Sequence, residues 1–225
     1  MGNSRRSSHR YTIMASRSFS QDDSELITNL HSLHKKTPKL VKSAQCATAN
    51  VTVESWKMNE SRYYDVPSPF PTLARGLFSI KEHGANGDEP RYRIVARGYD
   101  KFFNIGEVPW TTVRVSLPRS PLPGSSPFLT DIDQWSSLEA HTKPPYTLTL
   151  KSNGCIIFIA ALSPSQILVT SKHALGPHAQ AGERWLHRHL ERAGKTTEQL
   201  AQTLWAKNWT IASEVGFVHT YCTTQ

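Results

Sequence analysis

Lys151 is the residue whose setting in this chain most invites covalent chemistry. It lies in YTLTLKSNGCIIFIAAL (146–162), between two runs of strand-forming residues, and Ser152, Asn153 and Gly154 follow it at once. A period of two puts Tyr146, Leu148 and Leu150 on one face of the first run and Thr147, Thr149 and Lys151 on the other. The second run, CIIFIAAL, is apolar on both faces, which predicts a central, buried strand. Ser-Asn-Gly favours a tight turn, and backbone N–H groups in such a turn can face a phosphate. A lysine acts as a nucleophile only after losing its proton. From an unperturbed pKa of about 10.4, that requires desolvation or neighbouring cations. Two candidate cations stand out. Arg97 is grouped by strand alternation with Arg91 and Arg93, and Lys172 ends the run QILVTSK. Both would also neutralise a triphosphate. On these residues alone, a strand-end lysine beside a hairpin turn and a nucleophile both remain open.

Other motifs do not mature into sites. Gly194-Lys195-Thr196 has the tail of a phosphate-binding loop, but His189 stands where the pattern needs its first glycine. The stretch also follows a helical run, so it reads as a joint between helices. His187 and His189 are two apart and His173 and His178 five apart, spacings that place no pair on one helix face. They read as solvated histidines. No G-x-S-x-G nucleophile elbow occurs.

The elements that must hold these residues are of mixed type. Residues 22–36 predict an amphipathic helix with acids at its start and lysines at its end. VTVESWKM, GLFSIKE and RYRIVARGY predict strands, and the four prolines of SLPRSPLPGSSP (116–127) predict an exposed loop. YTLTL, CIIFIAAL and QILVTSK suggest an antiparallel meander. Helices follow at 179–193 and 197–207, with Gly194 as a stop between them, and WTIASEV returns to strand. Clustered strands, rather than regular βα alternation, predict an α+β fold with antiparallel sheets.

The chain has 225 residues, with 26 Lys+Arg against 18 Asp+Glu and a net charge of +8. That excess points to a polyanionic partner, nucleic acid before membrane. No apolar run of about 18 residues exists to span a bilayer. Three scattered cysteines make no disulfide framework, so a reducing intracellular compartment, nucleus or cytoplasm, is expected. Residues 1–20, rich in Arg and Ser, have a composition like a transit peptide. No apolar face accompanies the arginines, so a disordered basic tail is expected.

Four stretches, SPFPTLARGLFS (68–79), VARGYDKFFNIGEV (95–108), PPYTLTLKSNGCIIFIAAL (144–162) and LVTSKHALG (168–176), occur in an order that resembles the N-terminal adenylyltransferase domain of fungal-type tRNA ligases. These are lysine-dependent nucleotidyltransferases, and the likeness covers about residues 50–214. DNA ligases and capping enzymes typically carry Asp where Asn153 stands, so K-x-N-G leans toward the RNA-ligase branch. The resemblance implies a nucleotidyltransferase fold, with ATP and Mg2+ as cofactors and RNA, the tRNA exon halves, as partner. It implies that Lys151 attacks the α-phosphorus of ATP to form a lysyl-AMP. Thr149 would read the adenine, Asn153 and Gly154 would form the phosphate-side turn, and Arg97 would contact phosphate or the RNA end. Lys172 would lie near the nucleotide and Glu214 would bind its ribose. Lys101 matches either a solvated lysine or an RNA contact, and Phe102 and Phe103 are expected in the core. A monomer without membrane association is expected.

The likeness breaks after Glu214. The family continues with an acidic stretch, whereas VGFVHTYCTTQ (215–225) holds no acid. The strand glutamate that organises metal in the family and its later lysine pair have no counterpart there. The kinase and cyclic-phosphodiesterase domains that usually follow are also absent from the sequence. The expected organisation is therefore a tail (1–20), the N-terminal part of an adenylyltransferase domain (21–214) and a divergent end (215–225). A fold incomplete at its C-terminus, with weak or no lysyl-AMP formation, is expected. A non-catalytic, basic RNA-binding remnant is the alternative.

Overall fold

The computed structural model describes residues 21–63, 65, 67–82, 90–102, 136, 139–140, 142–147 and 153–216. Among these residues the fold is α+β. Helix α1 (Gln21–Lys36) is followed by strands β1 (Val41–Ala47) and β2 (Thr52–Met58), a 3-10 turn (Glu60–Arg62), β3 (Leu77–Glu82) and β4 (Arg91–Arg97). Then come β5 (Cys155–Ser163), β6 (Gln166–Ser171), α2 (Pro177–Arg192), α3 (Thr197–Lys207) and β7 (Thr210–Val215). The strands form two antiparallel sheets, ordered β1-β2-β3-β4 and β6-β5-β7.

The sheets face each other between two helical layers. Ile27 and Leu30 of α1, spaced to share one helix face, pack on Trp56, Met58 and Leu77 of the first sheet. Phe78, Val95, Phe158, Ala160 and Leu168 fill the space between the sheets. Ile157, Ile159 and Ala161 pack the other face of β5 against Leu204 of α3. Strand β5 is thus apolar on both faces because both faces are covered, as its composition predicts.

The joint between α2 and α3 is built locally. Gly194 takes φ +62°, the Lys195 N–H donates to the Leu190 carbonyl at 2.9 Å, and the Gly194 N–H donates to Glu191 at 3.0 Å. Thr196 and Gln199 then cap α3 reciprocally. Gly194-Lys195-Thr196 is therefore a helix stop followed by a helix start.

Three expectations change. Strand β1 was not legible, because VKSAQCA is an edge strand with only Val41 buried. Tyr146 and Thr147 lie outside any strand and are exposed, while residues 148–152 lie outside the described residues. The alternation that groups Arg91, Arg93 and Arg97 is broken by a bulge. Ser79 pairs with Ile94 and Phe78 with Ala96, so Val95 is the extra residue of β4. Before the bulge, Arg93 is buried: it donates to Glu82 at 2.7 Å and to the Leu162 carbonyl at 3.0 Å, and lies over the Trp205 ring. Beyond it, Arg97 is opposite Leu77, a member of the α1-side core, and is exposed.

The two sheets meet most closely where the Phe158 ring sits beneath Gly76 and Gly98. A methyl group on Gly98 would lie 2.1 Å from the Arg75 carbonyl oxygen and 2.6 Å from Phe158 Cζ. On Gly76, which has φ +93°, it would lie 2.4 Å from Phe158 Cε2. Gly98→Ala is expected to destabilise the protein by about 2–3 kcal/mol, read as a lower midpoint of urea unfolding. An unchanged midpoint would show that the sheets do not approach as described.

His173 is half-buried rather than solvated, and its carbonyl accepts the Ser55 hydroxyl at 2.8 Å. Burial, then the nearby Lys172 and Lys57, lower its pKa from 6.5 to about 4. The fold therefore favours neutral imidazole. The corresponding stability is complete above about pH 6.5 and is lost as pH falls toward 4. The fall in urea midpoint between pH 7 and pH 5 is expected to be smaller in His173→Gln than in the unaltered chain. Equal falls would remove His173 from the acid response.

Candidate active site

Five of the seven candidate residues, Asn153, Gly154, Arg97, Lys172 and Glu214, fall among the described residues; Thr149 and Lys151 lie outside them. Asn153 and Gly154 lead directly into β5. A side chain at 154 would meet the Val215 carbonyl oxygen at 2.5 Å and Glu214 Cγ at 3.1 Å. Gly154 is therefore required by the close passage of β7, independently of any ligand.

Strand register decides which side chains share this end of the sheet. Glu214 pairs with Ile156 across β5–β7, and Ser171 pairs with Ile157 across β5–β6. Lys172 follows Ser171 directly, in the bend that closes β6. Directly opposed residues of antiparallel strands present their side chains to the same face. Ile156 packs toward the space between the sheets, so its partner Glu214 shares that face, and the Lys172 backbone reaches the first sheet beside Gly76. The fold thus brings Asn153, Gly154, Lys172 and Glu214 to one end of β5.

Lys172 is not a free cation. Its ammonium donates to Glu60 of the 3-10 turn, whose other carboxylate oxygen lies 3.4 Å from Arg75 Nη2. The Lys172 hydrogen bond holds the Glu60 carboxyl below the usual carboxylate range. Asn59 fixes the turn by accepting the Ser61 N–H at 3.1 Å. Arg75 also lies over the Phe102 ring, 5.4 Å from its centroid.

Two Arg-Gly pairs, 75–76 and 97–98, run antiparallel beside this group. Gly98 N–H donates to Gly76 at 2.8 Å, and Arg75 N–H donates to Tyr99 at 2.8 Å. A methyl on Gly76 would lie 3.0 Å from the Lys172 carbonyl oxygen. The backbone therefore ties Arg97 to the same end of the molecule. Its guanidinium, however, is engaged elsewhere: it donates to Asp100 at 2.6 Å and to Thr72 at 3.4 Å. The bulge in β4 sets Arg97 opposite Leu77, on the α1 side of the first sheet.

Sequence reasoning missed Glu60 and Arg75. Arg75 had a usable signal, the repeat of Arg-Gly at 75 and 97. Glu60 had none, because it comes into contact with Lys172 only through the fold. The core placement of Phe102 is corrected: the side chain is 63% exposed, with the Lys101 ammonium 5.8 Å from its centroid. The Arg75 and Lys101 cations lie over its ring. Phe103 lies outside the described residues. No helix among the described residues is long and apolar enough to cross a membrane.

Chemically, this end of the protein offers guanidinium and ammonium groups held by carboxylates, a backbone turn, and a carboxylate at the end of a strand. A polyanion of phosphate character can replace the carboxylates as partner to those cations.

Comparison with known proteins agrees with this chemistry. A family model described as RNA ligase matches residues 73–120 and 130–224, more than half of the chain and past Glu214. The chain is 40% identical over 188 residues to tRNA ligase 1 of Schizosaccharomyces pombe, covering 74% of this chain and 21% of that protein. It is 31% identical over 192 residues to the tRNA ligase of Candida albicans, covering 75% of this chain and 19% of that protein. The chain spans about a fifth of the length of these curated relatives. Its RNA-ligase match takes in both Arg-Gly pairs, the turn at Asn153–Gly154, Lys172 and Glu214, and the chain belongs to the RNA ligase family.

Proposed function

We propose that this chain performs the ATP-dependent, lysine-linked chemistry of an RNA ligase acting on tRNA exon halves. The observation that carries the proposal is the register of β5, which pairs Ile156 with Glu214 and Ile157 with Ser171, the residue before Lys172. That is the end of the strand to which the Asn153–Gly154 turn leads, two residues after Lys151.

In the proposed reaction the Lys151 amine, as the free base, attacks the α-phosphorus of ATP. The P–N bond forms as the bond to pyrophosphate breaks, leaving lysyl-AMP. An RNA 5′-phosphate then attacks that phosphorus and takes the AMP, returning the lysine. A 3′-hydroxyl of the second exon half displaces AMP to close the phosphodiester. The work of the site in each step is positioning and neutralisation of charge on phosphorus. Thr149 reads the adenine and Glu214 the ribose hydroxyls. Asn153 and Gly154 supply turn N–H groups to phosphate. Lys172 and Arg75 neutralise the phosphates after exchanging Glu60 for them, and Arg97 meets a phosphate or the RNA end from its place beside Gly98.

Magnesium is proposed to arrive with the triphosphate. Among the described residues no group of three or more His, Cys, Asp or Glu could hold an ion, and Glu60 and Asp100 are paired with Lys172, Arg75 and Arg97. No step is assigned to such an ion.

The test is covalent labelling with ATP carrying a labelled α-phosphate in the presence of magnesium. Weak label that is lost in Lys151→Ala is expected. In Lys172→Ala the labelling rate should fall about ten- to a hundredfold, the loss of one charge-assisted contact. Label that persists in Lys151→Ala would contradict the nucleophile. ATP binding and RNA binding without any label would favour the non-catalytic RNA-binding alternative.

A further inference from the structure

The proposed chemistry leaves unused a surface on α2, where residues 183–192 read ERWLHRHLER. Arg184, Arg188 and Arg192 recur at every fourth position, so they line one edge of the helix about 6 Å apart along its axis. All three are exposed, and none forms an ion pair with a carboxylate among the described residues. They lie opposite Leu186 and Gly182, which turn toward the sheet, while Ala181, on the stripe's side at the start of the helix, is buried.

The two flanks of this stripe differ. Glu183, His187 and Glu191 repeat on one flank, and Glu183 and His187 border β6 and the β1–β2 connection. Trp185 and His189 repeat on the other. Trp185, Leu186 and His189 line a recess of about 320 Å3 with Ser213, Glu214 and Val215 of β7. The acidic flank therefore lies at the β6 edge and the aromatic flank at the β7 edge, whose Glu214 carries its side chain on the opposite face of the sheet.

The exposed indoles carry cations. Trp185 is 45% exposed, with the Arg188 guanidinium 5.3 Å from its centroid. Trp209, just before β7, is 57% exposed, with the Lys207 ammonium 4.2 Å from its centroid. An apolar protein partner would meet guanidinium and ammonium groups on these rings. A strand of nucleic acid meets what it needs: spaced cations for successive phosphates and aromatic faces for unpaired bases.

We propose that this face of α2 binds a single-stranded stretch of RNA. Phosphates run along Arg184, Arg188 and Arg192, an unpaired base stacks on Trp185, and the strand leads past the recess toward Glu214 and the Asn153–Gly154 turn. The proposal rests on the RNA reading above and adds to it where the RNA lies.

The test is binding of a fluorescent, 5′-phosphorylated single-stranded RNA oligonucleotide, followed by anisotropy over a range of salt concentrations. The proteins compared are the full chain, an Arg184→Gln/Arg188→Gln/Arg192→Gln variant and Trp185→Ala. All the altered side chains are exposed or partly exposed, and unchanged circular dichroism confirms the fold. The triple variant should bind at least tenfold more weakly at low salt, with the slope of log affinity against log salt reduced by about 2. Trp185→Ala should weaken binding roughly tenfold with its slope unchanged.

If the full chain binds RNA and the triple variant matches it in affinity and slope, the α2 proposal falls and the RNA reading stands. If the full chain binds no RNA even at low salt, both fall. If the variants instead change self-association on gel filtration while RNA binding is intact, the face is a protein contact and the proposal falls. If RNA binding is lost in the variants but Lys151 is never labelled by ATP, the proposal stands and the ligation reading falls.

Discussion

The register of β5 between β6 and β7 fixes the relation of every described group at the candidate active site. Ile157, Phe158 and Ala160 are fully buried, and β5 alternates between the inter-sheet core and the core beneath α2 and α3. A slip of one residue would keep them buried but turn each into the opposite core, which is packed for other side chains. That penalty holds Glu214 opposite Ile156 and holds Lys172 one residue beyond the Ser171–Ile157 pair. The placement of the polar groups thus follows from apolar packing two residues away.

The first sheet is coupled to this register through contacts that tolerate no side chain. Gly76 and Gly98 let the backbone close over Phe158, and the flanking Arg75 and Arg97 are carried to the same end by that closure. Their charges then find partners: Glu60 for Arg75 and Lys172, and Asp100 for Arg97. Such partly exposed pairs add little to stability. Their consequence is chemical, since they keep several cations ordered close to one strand end until a stronger anion replaces the carboxylates.

Much of this was legible in sequence where a local rule governs. Acids and bases at the ends of residues 22–36 marked α1, Gly194 marked the break between helices, and the unbroken apolar run of 155–162 marked a strand covered on both faces. The failures share a cause, which is that the deciding contact is remote. VKSAQCA is a strand because β2 pairs with it. Val95 is a bulge because Phe78 and Ser79 must keep their partners, and the shift separates Arg93 from Arg97. Glu60 meets Lys172 across 112 positions of sequence. For the site, Lys172, Asn153, Gly154 and Glu214 were named from motifs and are brought to one strand end. The backbone of Arg97 is tied to the first-sheet contact at Gly98, and its guanidinium is committed to Asp100.

The central claim is that the end of β5 is where nucleotide binds. Hydrogen–deuterium exchange with and without ATP and magnesium tests it without requiring turnover. The account predicts protection concentrated in peptides covering residues 153–157, 171–175 and 212–216, with little change in α1 and β1. Saturable ATP binding that protects α1 and β1, or that leaves those three peptides unchanged, would contradict it.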